Sequence, residues 1–464
     1  MSTQTAVVWF RRDLRLADNP AWAAATQSAD RVLALFVVDA RVTATAGGRR
    51  RDLVRAHLRA LDEQLRSRGG GLLVRSGDPV ELVPRVADAV GAGSVHVNGD
   101  VSGYAQRRDD AVRRALQPDV AFDVRWGCHV HRPGSVVAGT GATHQVFTPY
   151  HRAWASTPWE PWPEEDDAQV LDPSSVPGVR SVGPDPLGSG PPGAGPAGEA
   201  AAEARLAEWL DRVDDYSHTH DLPANEHGTS SLSADLHLGT LSPRHVVGVV
   251  GNGSDGRSAF VRQLAWRDWF ASLFLERPSL AHAAMRPELD AVAWRDDPEG
   301  VAAWQEGRTG VPIVDAGMRQ LAGTGWMHNR VRLITASFLV KDLLVDWRVG
   351  ERHFRRELVD GEVSQNAGNW QWVAGTGPDA APYFRVLNPV TQSRRFDPDG
   401  DYIARWVPEL AGLAPADRHA PWELGPLELA AAGVELGADY PHRLVEHGAA
   451  RERALAAYSA ARAG

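Results

Sequence analysis

Across the first 130 residues, five short apolar runs alternate with amphipathic helical patterns, and this alternation constrains the fold more than any other feature of the chain. AVVWF (6–10), VLALFVV (32–38), GLLVRS (71–76), SVHVN (94–98) and FDVRW (122–126) read as buried strands, while residues 51–68, 79–90 and 103–116 carry helical spacing between them. Strands that return through helical crossovers pair in parallel and need cover on both faces. The pattern therefore predicts an α/β architecture: an N-terminal doubly wound parallel sheet, Rossmann-like in its order of elements. No GxGxxG follows the first strand, where FRRDLRLADNP stands instead, so a dinucleotide bound in the usual Rossmann manner is not expected there. The crevice beyond the carboxyl ends of the strands is still the favoured place for a ligand.

Residues 173–199 hold too many prolines and glycines for a packed element and read as an exposed linker. From Ala201 onward the pattern is helical with capped breaks, such as Ser242 before Pro243. The expected division is an α/β domain over 1–130, a linker over 131–200 and an all-helical domain over 201–464. A chain of 464 residues is long enough for two or three such cores.

Composition narrows the function. Cys128 is the only cysteine, which excludes an intramolecular disulfide and a cysteine-rich zinc site and leaves a buried, inert thiol as the expectation; no metal is expected. The net charge of −10 argues against indiscriminate coating of nucleic acid, whose affinity grows with phosphates neutralised. No apolar run reaches the roughly 18 residues of a membrane span, and MSTQTAVVWFRRDLRL is unlike a secretory signal, so a cytoplasmic monomer is expected. A single lysine, Lys341, stands among 49 basic residues, and the 17 tryptophans are more than packing alone explains.

Three stripes combine amides, arginines and indoles. Glu362, Asn366 and Trp370 fall at i, i+4, i+8 and share one face if residues 360–372 are helical, while Trp372 lies about 200° around from Trp370. Trp326, Asn329, Arg330 and Leu333 follow at i, i+3, i+4, i+7, and Gln263, Trp266 and Arg267 cluster in FVRQLAWRDWF. Polar groups in such apolar surroundings need partners, and together the stripes suit a planar, polar, phosphate-bearing ligand. Thr229, Ser230, Ser231 and Ser233 crowd hydroxyls ahead of a helix, which suits a pyrophosphate.

VVWFRRDLRLADNPAW, GTSSLS, QLAWRDWF, AWQEGRTGVPIVDAGMRQL, GWMHNRVRLITASFLVKDLL and NAGNWQW, in this order and spacing, resemble the photolyase/cryptochrome family over nearly the whole chain, and most of all its class I cyclobutane pyrimidine dimer photolyases. The resemblance implies an antenna domain, a helical FAD domain and light-driven repair of dimers in UV-damaged DNA by electron transfer from reduced FAD. It assigns Tyr216, Thr229, Ser230, Ser231, Leu232, Ser233, Phe260, Arg332, Asp360, Gly361, Glu362 and Asn366 to FAD, with Asn366 facing the flavin N5. Trp370, Trp347 and Trp294 correspond to a tryptophan relay that reduces oxidised flavin. Trp266 and Trp372 correspond to the rings that stack on a flipped-out dimer, Gln263, Asn329 and Arg330 would meet its polar edges and phosphate, and His220, Arg267 and Gln392 are further candidates for the DNA surface.

The chain also departs from the family pattern. Gln263 stands where a glutamate is usual, Leu333 replaces a methionine, Glu362 an aspartate, and Ser231 and His220 replace arginines. Asn329 and Leu333 occupy the places where a (6-4) photolyase would carry histidines, which disfavours that chemistry; a light-sensing cryptochrome without repair activity is the other alternative. Tyr104 and Ala105 stand where folate-binding members carry Asn-Glu, so 8-hydroxy-5-deazaflavin is favoured over methenyltetrahydrofolate as a second chromophore, near Arg51 and Asp100.

Overall fold

The computed structural model describes residues 4–176, 178–183, 187, 195–379, 382 and 384–463. Contacts divide the chain into two compact units, one formed by Met1–Asp214 with Ser230–Pro278 and the other by Asp215–Thr229 with Ser279–Gly464.

The first unit contains the expected parallel sheet. Its strands are β1 Thr5–Phe10, β2 Arg31–Val38, β3 Leu72–Ser76, β4 Ser94–Asn98 and β5 Ala121–Arg125, in the order β3-β2-β1-β4-β5. A two-residue strand missed from sequence, β6 Gln169–Val170, pairs in parallel with the start of β2. Every residue of β1 is buried, and its alternation sorts the core into two layers. Ala6, Val8 and Phe10 pack with Leu58, Leu61 and Leu65 of the helix Gly48–Ser67. Val7 and Trp9 face the other way, onto Val83 and Val86 of the helix Pro79–Ala89 and Val112 of the helix Gly103–Ala115. This is why the strands read as continuous apolar runs: a sheet covered on both faces has no polar side.

Local chemistry starts the helices where the sequence indicates. Asn19 accepts from the N–H groups of Ala21 and Trp22 with Pro20 in the first turn, Asp78 caps Pro79–Ala89, and Ser102 caps Gly103–Ala115. The linker reading requires correction. Residues 177, 184–186 and 188–194 of the 173–199 stretch lie outside the described residues, but Val176 and Leu187 are buried in the two core layers, and the Val182 N–H donates to the Val74 carbonyl at 2.9 Å. Among the described residues of the stretch a 3-10 turn, Pro173–Ser175, precedes the helix that starts at Glu199, and single apolar side chains dock on the sheet.

The second unit is helical. From Glu199 onward the described residues of the chain form no strand. Gly325, at φ +74°, ends the helix Pro312–Thr324, and the chain re-enters as Asn329–Ser337 with His328 as its cap. A Cβ at Gly317 would overlap Val331, so that glycine sets the close approach of these two helices. No helix among the described residues is long and apolar enough to cross a membrane.

Candidate functional site

In the second unit the helices Asn329–Ser337, Trp347–Glu357 and Val363–Ala374 line a cleft that opens to solvent. Its apolar walls come from Leu333, Phe354, Trp370 and Val373, and its polar groups from Asn329, Arg332, Asp360 and Asn366. Apolar walls with a few convergent polar groups are the usual form of a cofactor site.

The predicted face of Glu362, Asn366 and Trp370 exists: Glu362 is the N-cap residue of Val363–Ala374 and all three are buried. Trp372 is only half-buried, as its rotation around the helix requires. Asn366 donates its amide nitrogen to the backbone oxygen of Glu351 at 2.9 Å and to its carboxyl at 3.0 Å, which leaves the amide oxygen for a ligand. Arg332 donates to both oxygens of Asp360, at 3.2 and 2.9 Å, and its Nε–H to the Met327 carbonyl, so the guanidinium plane is fixed at the cleft. Gly361 contributes backbone to the same wall.

The second stripe is only partly helical. Trp326 lies in the turn after Gly325, before the helix begins at Asn329, and packs edge-on to His328 at 6.3 Å. Asn329 is exposed at the mouth of the cleft, whereas Arg330 makes a bidentate pair with Asp221, at 3.1 and 2.6 Å, and lies 4.2 Å over the Phe396 ring. Sequence reasoning missed Asp221 altogether: it is distant in the chain and in no motif. His220 donates Nδ1–H to the Tyr216 carbonyl at 2.7 Å and keeps Nε2 3.8 Å from Asp221. Burial pushes His328 down to about 4, so it is a neutral cap whose Nδ1 accepts from the Arg330 N–H. Gln392 is half-buried on the helix Pro389–Phe396.

Trp370 packs edge-on against Phe354 at 5.0 Å and Trp304 at 6.1 Å. Trp347 is buried beneath Arg348, and Trp294 packs edge-on against Tyr458 at 5.8 Å. Among the described residues no ring contact joins Trp370 to Trp347 or Trp347 to Trp294; Trp304, outside the expected relay, is the indole in contact with Trp370.

In the first unit, Gln263 is exposed and donates to the Ala259 carbonyl at 3.3 Å, and Trp266 is half-buried. Arg267, expected at a DNA surface, is corrected to an interior position. One residue beyond Trp266 turns it about 100° around the helix, and its guanidinium donates to the carbonyls of Cys128 and Leu236. Phe260 packs on Trp209 at 5.4 Å. Leu232 is fully buried, Ser231 is exposed in the left-handed region at φ +54°, and Ser233 starts a helix of only six residues. Tyr216 and Thr229 belong to the second unit and Ser230 to Ser233 to the first.

The crevice at the sheet's switch point, between β1 and β4, is lined by Arg11, Arg12, Asn98, Asp100 and Cys128. Burial raises the Asp100 pKa, but Arg12 at 3.3 Å, the Ser102 N–H and the neighbouring arginines outweigh it and hold the carboxyl below its ordinary range. Arg51 does not line this crevice; it donates to the Ala46 carbonyl at 3.0 Å. Cys128 is buried as expected, its thiol pushed up to about 11 by burial and by Asp13.

A doubly wound sheet joined in sequence to a helical unit whose cleft sets a fixed guanidinium and an oriented amide among aromatic walls defines a cofactor-binding protein of the α/β-plus-helical class. Two family models match: DNA photolyase over residues 6–167, and the FAD binding domain of DNA photolyase over residues 260–460. The chain is 42% identical to the deoxyribodipyrimidine photo-lyase of Escherichia coli, covering 99% of both chains, and 44% identical to that of Streptomyces griseus, covering 97% of this chain and 98% of the other. Its structure matches that of a bacterial class III photolyase from Agrobacterium tumefaciens with a TM-score of 0.92 at 37% identity, over 100% of this chain and 99% of that one. The chain belongs to the DNA photolyase family.

Proposed function

We propose that the protein is a deoxyribodipyrimidine photo-lyase that binds FAD and splits cyclobutane pyrimidine dimers in UV-damaged DNA under light. The observation that carries the FAD assignment is the Asn366 amide: with its nitrogen tied to Glu351, its oxygen is the acceptor offered to the cleft. The cleft fits the isoalloxazine, since Leu333, Phe354, Trp370 and Val373 supply apolar surface for a flat ring while Arg332 and Asp360 supply donors and acceptors for its polar edge. Bound FAD supplies light-driven one-electron transfer. The protein's own residues would hold and orient it: Arg332 and Asp360, with Glu362 at the start of the helix that carries Asn366, would hold the ring and ribityl region, and the Asn366 amide oxygen would serve as an acceptor toward the ring.

The same reading makes Trp370, Trp347 and Trp294 the route by which oxidised FAD is reduced, and Trp266 a plate for the extruded lesion. It takes residues 1–130 as the antenna domain, 131–200 as the connection and 201–464 as the FAD and DNA domain, a division by ligand rather than by contact. A second chromophore, 8-hydroxy-5-deazaflavin, is proposed at the crevice of Asp100 and Arg12. Support comes from the carboxylate there, which lies at the carboxyl end of the sheet's switch point. Purification from a deazaflavin-producing host should give an absorbance band beyond that of FAD; FAD absorbance alone would sink the deazaflavin assignment.

The central test is to illuminate the reduced holoprotein with an oligonucleotide carrying one defined thymine dimer and to measure restored thymines. Restoration is expected. No restoration, with FAD bound and photoreduction intact, would replace repair by a light-sensing role.

A further inference from the structure

Trp266 does not stand alone. Its indole stacks on the Phe147 ring with centroids 3.7 Å apart and planes 13° from parallel, an intimate face-to-face contact. Trp269 meets it edge-on at 5.2 Å, and the Trp269 Nε1–H is anchored on the His144 carbonyl at 2.7 Å. Phe147, His151 and Trp154 lie at i, i+4, i+7 of the helix Phe147–Ser156 and form a ladder, with His151 stacked on Phe147 at 5.7 Å and Trp154 on His151 at 6.4 Å. Phe147 and Trp154 are buried, so the ladder is anchored in the core, while Trp266 at its end is half-exposed. The Arg262 guanidinium lies 5.5 Å over the Phe147 ring.

We propose that Phe147 is a positioning residue for damaged DNA: it backs the Trp266 indole, so that a flipped-out pyrimidine pair meets a plate already set in its binding orientation. The proposal rests on Trp266 being the lesion platform. An indole has two faces, and Phe147 covers one. The stack also removes rotamers that an unsupported tryptophan would lose only on binding, and that loss would weaken the complex. The ladder transmits the rigidity of a buried helix to a half-exposed ring, and Phe147 itself has no exposed face for DNA.

The test uses the FAD-containing protein in the dark, with an oligonucleotide carrying one thymine dimer and its undamaged twin. Dissociation constants are measured for wild type, Phe147→Leu, Phe147→Met, Trp266→Ala and each double variant. Both Phe147 variants keep apolar volume without a planar ring, so either one suffices if the other fails to accumulate with FAD. The expected result is a loss of about 3- to 10-fold for dimer-containing DNA, little change for undamaged DNA, and no further loss when Phe147 is replaced in the Trp266→Ala background. Such non-additivity is the signature of action through Trp266, which a general structural defect would not produce. Unchanged dimer affinity in the Phe147 variants, or the same loss with and without Trp266, would overturn the proposal while leaving the platform reading intact. Unchanged affinity in Trp266→Ala would overturn both.

Discussion

The amide nitrogen of Asn366 is held by the Glu351 carboxyl at 3.0 Å and by the Glu351 backbone oxygen at 2.9 Å, so the orientation of this cleft amide is decided by a residue that does not line the cleft. Burial raises the Glu351 pKa, with Arg355, Asn366 and Arg352 pulling it back. Glu351→Ala should therefore lower stability by about 1–3 kcal/mol, the usual cost of breaking a buried hydrogen bond to such a group. It should also loosen the Asn366 amide, which would keep only its bond to the backbone oxygen at position 351. Denaturant unfolding checks the first effect, and the rate at which reduced FAD reoxidises in air, expected to rise several-fold, checks the second.

Asp221 neutralises Arg330, which the family resemblance places toward a DNA phosphate. Asp221→Asn should release that cation. Binding of DNA should then tighten, and the slope of log affinity against log salt should steepen by about one counterion. Titrations at several salt concentrations read this directly; an unchanged slope would remove Arg330 from the phosphate contacts.

Gly350 lies against Trp370 so closely that an added Cβ would overlap the indole. Gly350→Ala should lower stability by about 1–3 kcal/mol through overpacking and displace Trp370 from its place beside Phe354 and Trp304. Photoreduction of oxidised FAD should slow in this variant and stop in Trp370→Phe. Both should still repair dimers under light once the flavin is reduced chemically, as repair assays under illumination after dithionite treatment would show.

Burial drives the Lys341 ammonium down to about 7, although its Nζ donates to the Ala374 carbonyl at 3.1 Å and lies 3.6 Å over the Tyr458 ring. The sign follows from linkage. Below pH 7 both folded and unfolded chains carry the charge, and the folded state bears the full penalty of burying it. Between about 7 and the ordinary lysine value the unfolded chain binds the extra proton, so this contribution to stability rises with pH. Lys341→Met should be more stable than wild type at pH 6, with a margin that shrinks toward pH 10, as thermal unfolding midpoints across that range would reveal. The Ala374 carbonyl would keep its bond from the Tyr458 hydroxyl.

Much of the fold was legible because its causes are local. Five strands announced themselves as runs with no polar side, and Asn19, Asp78 and Ser102 mark helix starts by the chemistry of their own side chains. Strand β6 was not legible: two residues carry no period, and only the edge of β2 makes them a strand. Trp326 was misplaced onto a helical face because spacing alone cannot report that Gly325 breaks the helix at that point.

What the sequence determined by itself was angular: which residues share a face of a helix or a strand, and hence that Glu362, Asn366 and Trp370 look one way while Trp372 looks another. What the tertiary structure alone decided was partnership. Arg330 and Arg267 look alike in the sequence, two arginines beside tryptophan-rich motifs. One pairs with Asp221, 109 residues away, and the other caps carbonyls inside the first unit. The reason is physical. A periodic pattern fixes the direction in which a side chain points from its own backbone. The group waiting there to satisfy its charge or stack on its ring arrives from elsewhere in the chain, as Phe147 does for Trp266, only when the core closes.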